Sequence, residues 1–160
     1  MKRNLVIILV FTVTILQCGC FGSYTVDGKS MLPRLKDGDI VLTTGDIEKM
    51  DRGDIVFFYD PIKPDSIDIA RVVGLPNETL EIPDGDIYVN GEKLSEIYVS
   101  PENNVNKFKY GKFALDEHSY FLLGDNRDNS KDSRFYGAIQ KGRILRKYTR
   151  TFWNPGWSDE

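Results

Sequence analysis

Short runs of β-forming residues, separated by turn residues, fill most of the chain after residue 22. Turn signals such as KDGD, PDGD and VNGEK punctuate these runs. No stretch in this part of the sequence has a sustained helical period with capping residues. The pattern predicts a mainly β domain of antiparallel strands, either barrel-like or built from two packed sheets. The runs that predict strands are DIVLTT, GDIVFFY, ARVVGL, TLEIP, DIYVNG, SYFLLGD and GRILRKY.

Two local patterns add detail to this prediction. Asn90 and Gly91 separate two short β-forming runs, and this residue pair favours the type I′ turn of a two-residue hairpin. The segment 100–112, SPENNVNKFKYGK, is polar and predicts a surface loop. The sequence has no internal repeat and no low-complexity tract, so we expect one domain.

The first 22 residues have a different pattern. Lys2 and Arg3 precede an apolar run whose clearest part is Leu5–Leu16. That part is shorter than the roughly 20 residues that span a bilayer, and the run reaches this length only when it is extended through Phe21. A basic start followed by an apolar run predicts a secretory signal or a signal anchor, with the rest of the chain exported. We therefore divide the chain into a signal or anchor (1–22), a domain (23–153) and a tail (154–160).

The two cysteines near this apolar run leave two interpretations open. LQCGC resembles the site at which bacterial lipoproteins are cleaved and lipidated, with Cys20 as the lipidated residue, although Gln17 stands where such sites usually carry Leu. The alternative is an uncleaved anchor with two unreactive cysteines. Both interpretations predict a domain tethered to membrane lipids on the extracytoplasmic face of the cytoplasmic membrane.

Composition and charge exclude several classes of function. Lys and Arg number 21 against 24 Asp and Glu, which argues against a nucleic-acid partner because such surfaces need an excess of cations. The single histidine, His118, and two cysteines near the N-terminus do not make a zinc site. The chain after Cys20 has no thiol and hence no disulfide. We expect neither a metal nor a cofactor.

Candidate chemistry begins at GKSMLPRL, where Ser30 follows Gly28 and precedes Pro33. Glycine permits an unusual backbone angle, and proline fixes φ and removes a donor, so the sequence predicts a rigid turn that presents the Ser30 hydroxyl. An ordinary turn serine is the alternative. A phosphate-binding P-loop is excluded, because Ser23 replaces the required glycine and Pro33 interrupts the required helix.

A second candidate stretch is FLLGDNRDNSKDSRFYG, in which an apolar strand leads into a loop rich in Asp, Asn, Arg and Ser. Asp132 and Arg134 flank Ser133, and their charges are expected to hold the Ser133 hydroxyl in a fixed direction. A salt-bridged surface loop is the alternative. A calcium loop is excluded, because Ser133 and Ile139 stand where its glycine and its bidentate glutamate are required.

Taken together, these stretches resemble the type I signal peptidases. The motifs VDGKSMLPRL, GDIVFF, ARVVGLP, DIYVNGEKLSEIYV, GDNRDNSKDSRFYG and RTFW occur in the order and approximate spacing of that family, over essentially the whole chain. The resemblance implies a mostly β catalytic domain on the outer face of the membrane. It also implies a serine endopeptidase with a Ser–Lys dyad that removes signal peptides from exported precursors after small residues.

The resemblance assigns roles residue by residue. Ser30 corresponds to the nucleophile, and its backbone N–H to an oxyanion donor. Ser133 corresponds to the hydroxyl that orients the lysine, and Asp132 and Arg134 to the charges that brace its loop. The residues that correspond to the lining of the substrate cleft are Met31, Leu35 and Ile69.

One position departs from the family pattern and bears directly on activity. The family reads Lys-Arg-Val-Val-Gly where this chain reads DIARVVGLP, so Ala70 stands at the position of the general base. A serine hydroxyl is a weak nucleophile unless a base removes its proton. Losing a positioned base costs about two to four orders of magnitude in rate, and up to ~10⁶ in a tightly coupled dyad.

Four other residues are candidates to replace the missing base. Lys29 is expected to point away from Ser30, Lys131 to be solvated and protonated, and Arg71 cannot act as a base. His118 lies in a turn with no sign of reaching Ser30. Three hypotheses remain: an inactive or greatly impaired peptidase that still binds signal peptides, an active peptidase with a relocated base, and a secretion-associated adaptor that retains only the fold.

Overall fold

The computed structural model describes residues 21–107 and 109–156, and within them almost all regular structure is β. The only α-helix in these ranges, α1, is a single turn, Ser133–Tyr136. The strands are β1 (Phe21–Thr25), β2 (Ile40–Thr44), β3 (Ile55–Tyr59), β4 (Ile67–Gly74), β5 (Thr79–Ile82), β6 (Tyr88–Val89), β7 (Glu92–Lys93), β8 (Tyr110–Ala114), β9 (Ser119–Leu123), β10 (Ile139–Gln140) and β11 (Ile144–Trp153).

These strands form two antiparallel sheets. The larger sheet has seven strands in the order β1-β2-β11-β3-β4-β9-β10, and the smaller has four in the order β7-β6-β5-β8. The prediction of a mainly β fold with two sheets is confirmed. The barrel-like form is wrong for the described residues, because neither sheet pairs its first strand with its last.

The predicted strands all appear, and so does the hairpin. Val89 pairs with Glu92, and the two residues between them, Asn90 and Gly91, have φ of 50° and 88°. Positive φ at both positions is what a type I′ turn requires. The surface loop predicted over 100–112 is corrected at its end, because β8 begins at Tyr110 and pairs with β5. β7 is the second strand of the predicted hairpin, and the strands that the sequence does not predict are β1, β8 and β10.

Three apolar clusters fill the interior, and two of them position the candidate site. One cluster lies on the side of β4 that carries Ala70, and it includes Val56, Phe58 and Leu122. The second lies beneath the Ser30 turn and includes Met31, Leu35, Val26, Val41, Ile55 and Phe57. The third joins the smaller sheet to β9. The edge of β4 therefore separates two well-packed regions.

The predicted anchor lies mostly outside the described residues. Residues 1–20, including Cys20, are not described, and β1 begins at Phe21, inside the segment predicted as anchor. Within 21–107 and 109–156, no helix is long and apolar enough to cross a membrane.

Candidate active site

The Ser30 turn is held in place by backbone hydrogen bonds from two directions. Gly28 has a φ of 88°, and its N–H donates to the Asp37 carboxylate at 2.8 Å. From the loop after β9, the Asn126 N–H donates to the Ser30 carbonyl at 2.9 Å, and the Asn126 amide donates to the Lys29 carbonyl at 3.0 Å. The turn is therefore fixed against that loop.

Met31 and Leu35 anchor the turn from below. Their exposed fractions are 1% and 0%, and both pack in the cluster beneath the turn. The structure thus places these two predicted cleft residues in the core, while Ile69 lies at the surface of the cleft described next. Contact of Met31 and Leu35 with a substrate stays a prediction.

A cleft of about 320 Å³, here called the Ser30 cleft, opens between the segment 24–30 and the edge of β4. Its apolar wall includes Tyr24 and Phe57, whose rings stack at 4.6 Å between centroids. The polar residues that line it include Ser30, Asp68, Ser130 and Lys131. A cavity of about 460 Å³ beside the smaller sheet is lined by none of the predicted site residues.

The structure brings Ser130, and not Ser133, to the Ser30 cleft. Ser133 is fully buried at the start of α1, and its hydroxyl accepts a hydrogen bond from the Leu122 N–H at 2.9 Å. By contrast, a Cβ atom placed on Gly124 would lie 2.2 Å from the Ser130 Oγ and 2.7 Å from the Ser30 carbonyl oxygen. Ser130 was missed because it lies in the same polar motif as Ser133, and only the contact at Gly124 distinguishes the two serines.

Asp132 and Arg134 form a buried ion pair beside this contact. The Asp132 carboxylate accepts from the Arg134 Nε at 2.8 Å and from the Gly124 N–H at 3.1 Å. It also accepts from the Arg134 N–H, so Asp132 caps the first turn of α1. The pair ties α1 to the glycine against which Ser30 and Ser130 pack.

A second buried pair, which sequence reasoning missed, joins β4 to the same loop. The Arg71 guanidinium binds the Asp125 carboxylate with two hydrogen bonds of 2.7 and 2.5 Å. Arg71 also donates to the Gly53 carbonyl and lies 4.2 Å from the centre of the Tyr98 ring. These contacts hold Arg71 in place, so it cannot approach Ser30.

Ala70 lies on the opposite side of β4 from Ile69, with an exposed fraction of 1%. It pairs with Val56 and packs in the apolar cluster of that side. In the described ranges, no hydrogen bond joins the Ser30 hydroxyl to a titratable side chain. Two residues that the sequence offers as replacements for the base lie in different places. His118 is exposed beside Glu117. Lys131 lies in the Ser30 cleft, with its Nζ 5.4 Å from the centre of the Tyr136 ring.

Two carboxylates beside the cleft share one phenol. The Tyr136 hydroxyl lies 3.2 Å from the Asp60 carboxylate and 3.4 Å from that of Asp68. Burial acts to raise the pKa of Asp60, but hydrogen bonds from the Lys63 and Ile62 N–H groups outweigh it and leave this pKa below its usual value. Burial, followed by the charge of Asp60, raises the pKa of Asp68. Burial and the same two carboxylates raise the pKa of the Tyr136 phenol.

A serine that is held on a fixed turn at the mouth of a cleft has the placement that a serine nucleophile requires. The family model described as "Signal peptidase, peptidase S26" matches residues 2–153. The chain is 32% identical over 160 residues to signal peptidase I of Bacillus caldolyticus, covering 91% of this chain and 87% of that protein. It is 34% identical over 155 residues to signal peptidase IB of Staphylococcus aureus strain N315, covering 81% and 76%.

A crystal structure of a signal peptidase I from Enterococcus faecalis V583 is 33% identical, covers 61% of this chain and 95% of that chain, and superposes with a TM-score of 0.49. The family match and the two bacterial relatives together show that the chain belongs to the signal peptidase family, peptidase S26.

Proposed function

We propose that this protein is a membrane-tethered serine endopeptidase that removes signal peptides from exported precursors after small residues, at a rate greatly reduced by Ala70. The observation that carries the proposal is the Ser30 turn, which two backbone hydrogen bonds and two buried side chains hold at the mouth of a cleft. Ser30 is the nucleophile, its N–H is an oxyanion donor, and Ser130 supplies the neighbouring hydroxyl.

The edge of β4 supports binding of an extended peptide. β9 pairs with β4 only from Arg71 onward, so residues 67–70 have a free edge within the described structure. The Asp60 N–H donates to the Ser66 carbonyl across the β3–β4 ladder, and the alternation of such a ladder turns the polar backbone groups of Ile67 and Ile69 outward. A precursor strand would pair with these groups.

The tether is proposed from the sequence of the N-terminus. Lys2 and Arg3 before the apolar run support an anchor whose basic end stays in the cytoplasm, which would leave the Ser30 cleft on the outer face. Lipidation at Cys20 is the alternative form of the same tether.

A second function, signal-peptide binding without cleavage, is favoured by one specific observation. Ala70 presents only a methyl group, packed among apolar side chains, where the family carries the base. Neither the free edge of β4 nor the apolar wall of the cleft depends on that base, so binding would survive the loss of hydrolysis.

The experiment is cleavage of a precursor peptide with Ala-x-Ala before the scissile bond by the detergent-solubilised full chain. We expect slow cleavage at that bond and none by the Ser30→Ala variant, which should still bind the peptide. Binding by both proteins without cleavage by either would support the binding function instead. Absence of binding by both would contradict both functions.

A further inference from the structure

We propose that the Asp68 carboxylate is the proton acceptor of Ser30 in this chain, so that a Ser–Asp pair replaces the Ser–Lys pair of the family. The inference rests on the proposed function, because it assumes that Ser30 cleaves a peptide. It assigns the role of general base, for which Ala70 has no suitable group, to another residue.

Position 68 is placed for this role by the geometry of β4. Asp68 pairs with Phe58, and Ala70 pairs with Val56. Side chains two residues apart on a strand point to the same side, so Asp68 extends from the side of β4 on which the family carries its base. Asp68 is also half-buried at the edge of the Ser30 cleft, together with Ser30 and Ser130.

The hydrogen bonds of the two carboxylates are unequal. Asp60 accepts from the Ile62 N–H at 2.6 Å, from the Lys63 N–H at 3.0 Å and from the Tyr136 hydroxyl at 3.2 Å. The only hydrogen bond described for Asp68 is the longer one from Tyr136, at 3.4 Å. A phenol has one proton, so Tyr136 donates to one carboxylate at a time. Asp68 is therefore the carboxylate with fewer donors.

Fewer donors and the neighbouring charge make Asp68 the stronger base of the two. The pKa of Asp68 is raised by burial and then by the charge of Asp60, while the pKa of Asp60 is lowered. Neighbouring titratable groups whose environments separate their pKa values in this way are typical of acid–base sites. Asp60 would then remain ionised while Asp68 exchanges a proton.

The charged groups around Asp68 are one carboxylate and two ammonium groups, so a base at this position has a counter-ion available. Asp60 raises its pKa, and the Lys131 and Lys63 ammonium groups lower it, with Tyr136 as the direct donor. Asp27 lines the opposite side of the cleft. Lys131 is exposed and stands beside two carboxylates, so we assign it the role of counter-ion.

The proposed step balances without any further reactant. The Ser30 Oγ–H bond breaks as its proton passes to the Asp68 carboxylate, directly or across one water, and the Oγ attacks the scissile carbonyl carbon. The carbon–nitrogen bond then breaks, and Asp68 returns the proton to the leaving amine. In the second step Asp68 takes a proton from a water molecule, whose oxygen attacks the ester carbon. The bond between that carbon and the Ser30 Oγ then breaks, and Asp68 returns the proton to Oγ.

The test is the pH dependence of kcat for Ala-x-Ala precursor cleavage by the full chain and its variants. A carboxylate base must be ionised, so activity should fall as the pH drops through the raised pKa of Asp68 and stay level through alkaline pH. Asp68→Asn should lower kcat by about 10²- to 10⁴-fold with little change in KM. Asp68→Glu, which keeps a carboxylate, should retain part of the activity.

Lys131→Gln separates the two candidate bases of the cleft. If Lys131 is the counter-ion, the acidic limb of this variant's pH profile should move to higher pH, because removing the ammonium raises the pKa of Asp68 further. Loss of activity in Lys131→Gln, together with a parent rate that keeps rising through alkaline pH, would overturn the inference in favour of an amine base.

A double variant distinguishes a catalytic role of Asp68 from a structural one. In protein that carries Ala70→Lys, an amine is supplied at the position of the family's base, so adding Asp68→Asn should change kcat little. An equal loss in both backgrounds would overturn the inference. Cleavage that depends on Ser30 but not on Asp68 would also overturn it and leave the proposed function standing, whereas a parent without Ser30-dependent cleavage at any pH would contradict both.

Discussion

At the scale of single residues, Ala70 is a fully buried position of β4, and its neighbours are held by specific contacts. Ala70 is enclosed in the apolar cluster of β4, and the next residue, Arg71, binds Asp125 with two hydrogen bonds. Ser30 and Ser130 both pack against Gly124. These contacts hold Ser30 and Ser130 against the same glycine and fix the edge of β4 beside them.

The two serines of the polar motif should respond differently to removal of their hydroxyls. Ser133→Ala leaves the Leu122 N–H buried without its acceptor, which should lower the free energy of unfolding by about 1–3 kcal/mol and change cleavage little. Ser130→Ala should lower cleavage and leave stability close to that of the parent. Denaturant unfolding and peptide cleavage measure the two effects. A Ser133→Ala variant that keeps its stability but loses cleavage would return the orienting role to Ser133.

Gly124 is predicted to be irreplaceable for a steric reason. A Cβ atom there would lie 2.2 Å from the Ser130 Oγ and 2.7 Å from the Ser30 carbonyl oxygen, so Gly124→Ala must push the two serines apart. We expect a destabilisation of about 1–3 kcal/mol and a loss of cleavage. Gly111→Ala, where nothing lies within 4 Å of the added atom, is the matched control. Equal behaviour of the two variants would contradict the packing described here.

At the scale of elements, two charged pairs hold the loop that carries Ser130. The Arg71–Asp125 pair connects β4 to this loop, and Arg127 in the loop binds Glu96 at 2.6 Å. Both arginines are buried, so their pairs hold the loop in one position but add little net stability over an apolar contact. The Arg71–Asp125 pair thereby holds this loop against β4.

Breaking one such pair should destabilise the fold because a charge is left buried. Asp125→Asn should lower the free energy of unfolding by about 3–5 kcal/mol, since it leaves the Arg71 guanidinium without a counter-ion. Asp86→Asn, which breaks the solvent-exposed pair with Lys93, should leave the unfolding midpoint near that of the parent. Chemical denaturation of the two variants makes the comparison. Similar midpoints for both would contradict the importance of the buried pair.

The elements that the sequence predicts are those whose own residues specify a turn or a strand. Asn90 and Gly91 predict their turn directly. The sequences of β3 and β9 are continuous runs of β-forming residues, without the spacing of apolar residues that predicts a helix. The loop predicted over 100–112 overlaps the start of β8, because the polar residues there give no signal for a strand. β8 forms through its pairing with β5. The sequence of a short exposed strand does not indicate which distant strand it will pair with, so such a strand cannot be predicted from local pattern.

At the scale of the whole molecule, the Ser30 cleft is assembled from distant parts of the chain. Tyr136 meets Asp60 and Asp68 across separations of 76 and 68 residues. Motif order identified Ser30 and the position of Ala70, because each lies inside a local pattern. The Asp60–Tyr136–Asp68 group and the contact between Ser30 and Ser130 depend on how β4, α1 and the loop after β9 fold together, which spacing alone does not encode.

The measurement that tests the account most directly is cleavage of the Ala-x-Ala precursor by the Ala70→Lys variant beside the parent. The account predicts that the variant cleaves at least about 100-fold faster, because an amine buried in this apolar cluster supplies the family's base. Ala70→Met, of similar length but without an amine, should give no increase. A folded Ala70→Lys variant that cleaves no faster than the parent would contradict the claim that the absence of the family's lysine limits the cleavage rate of this protein.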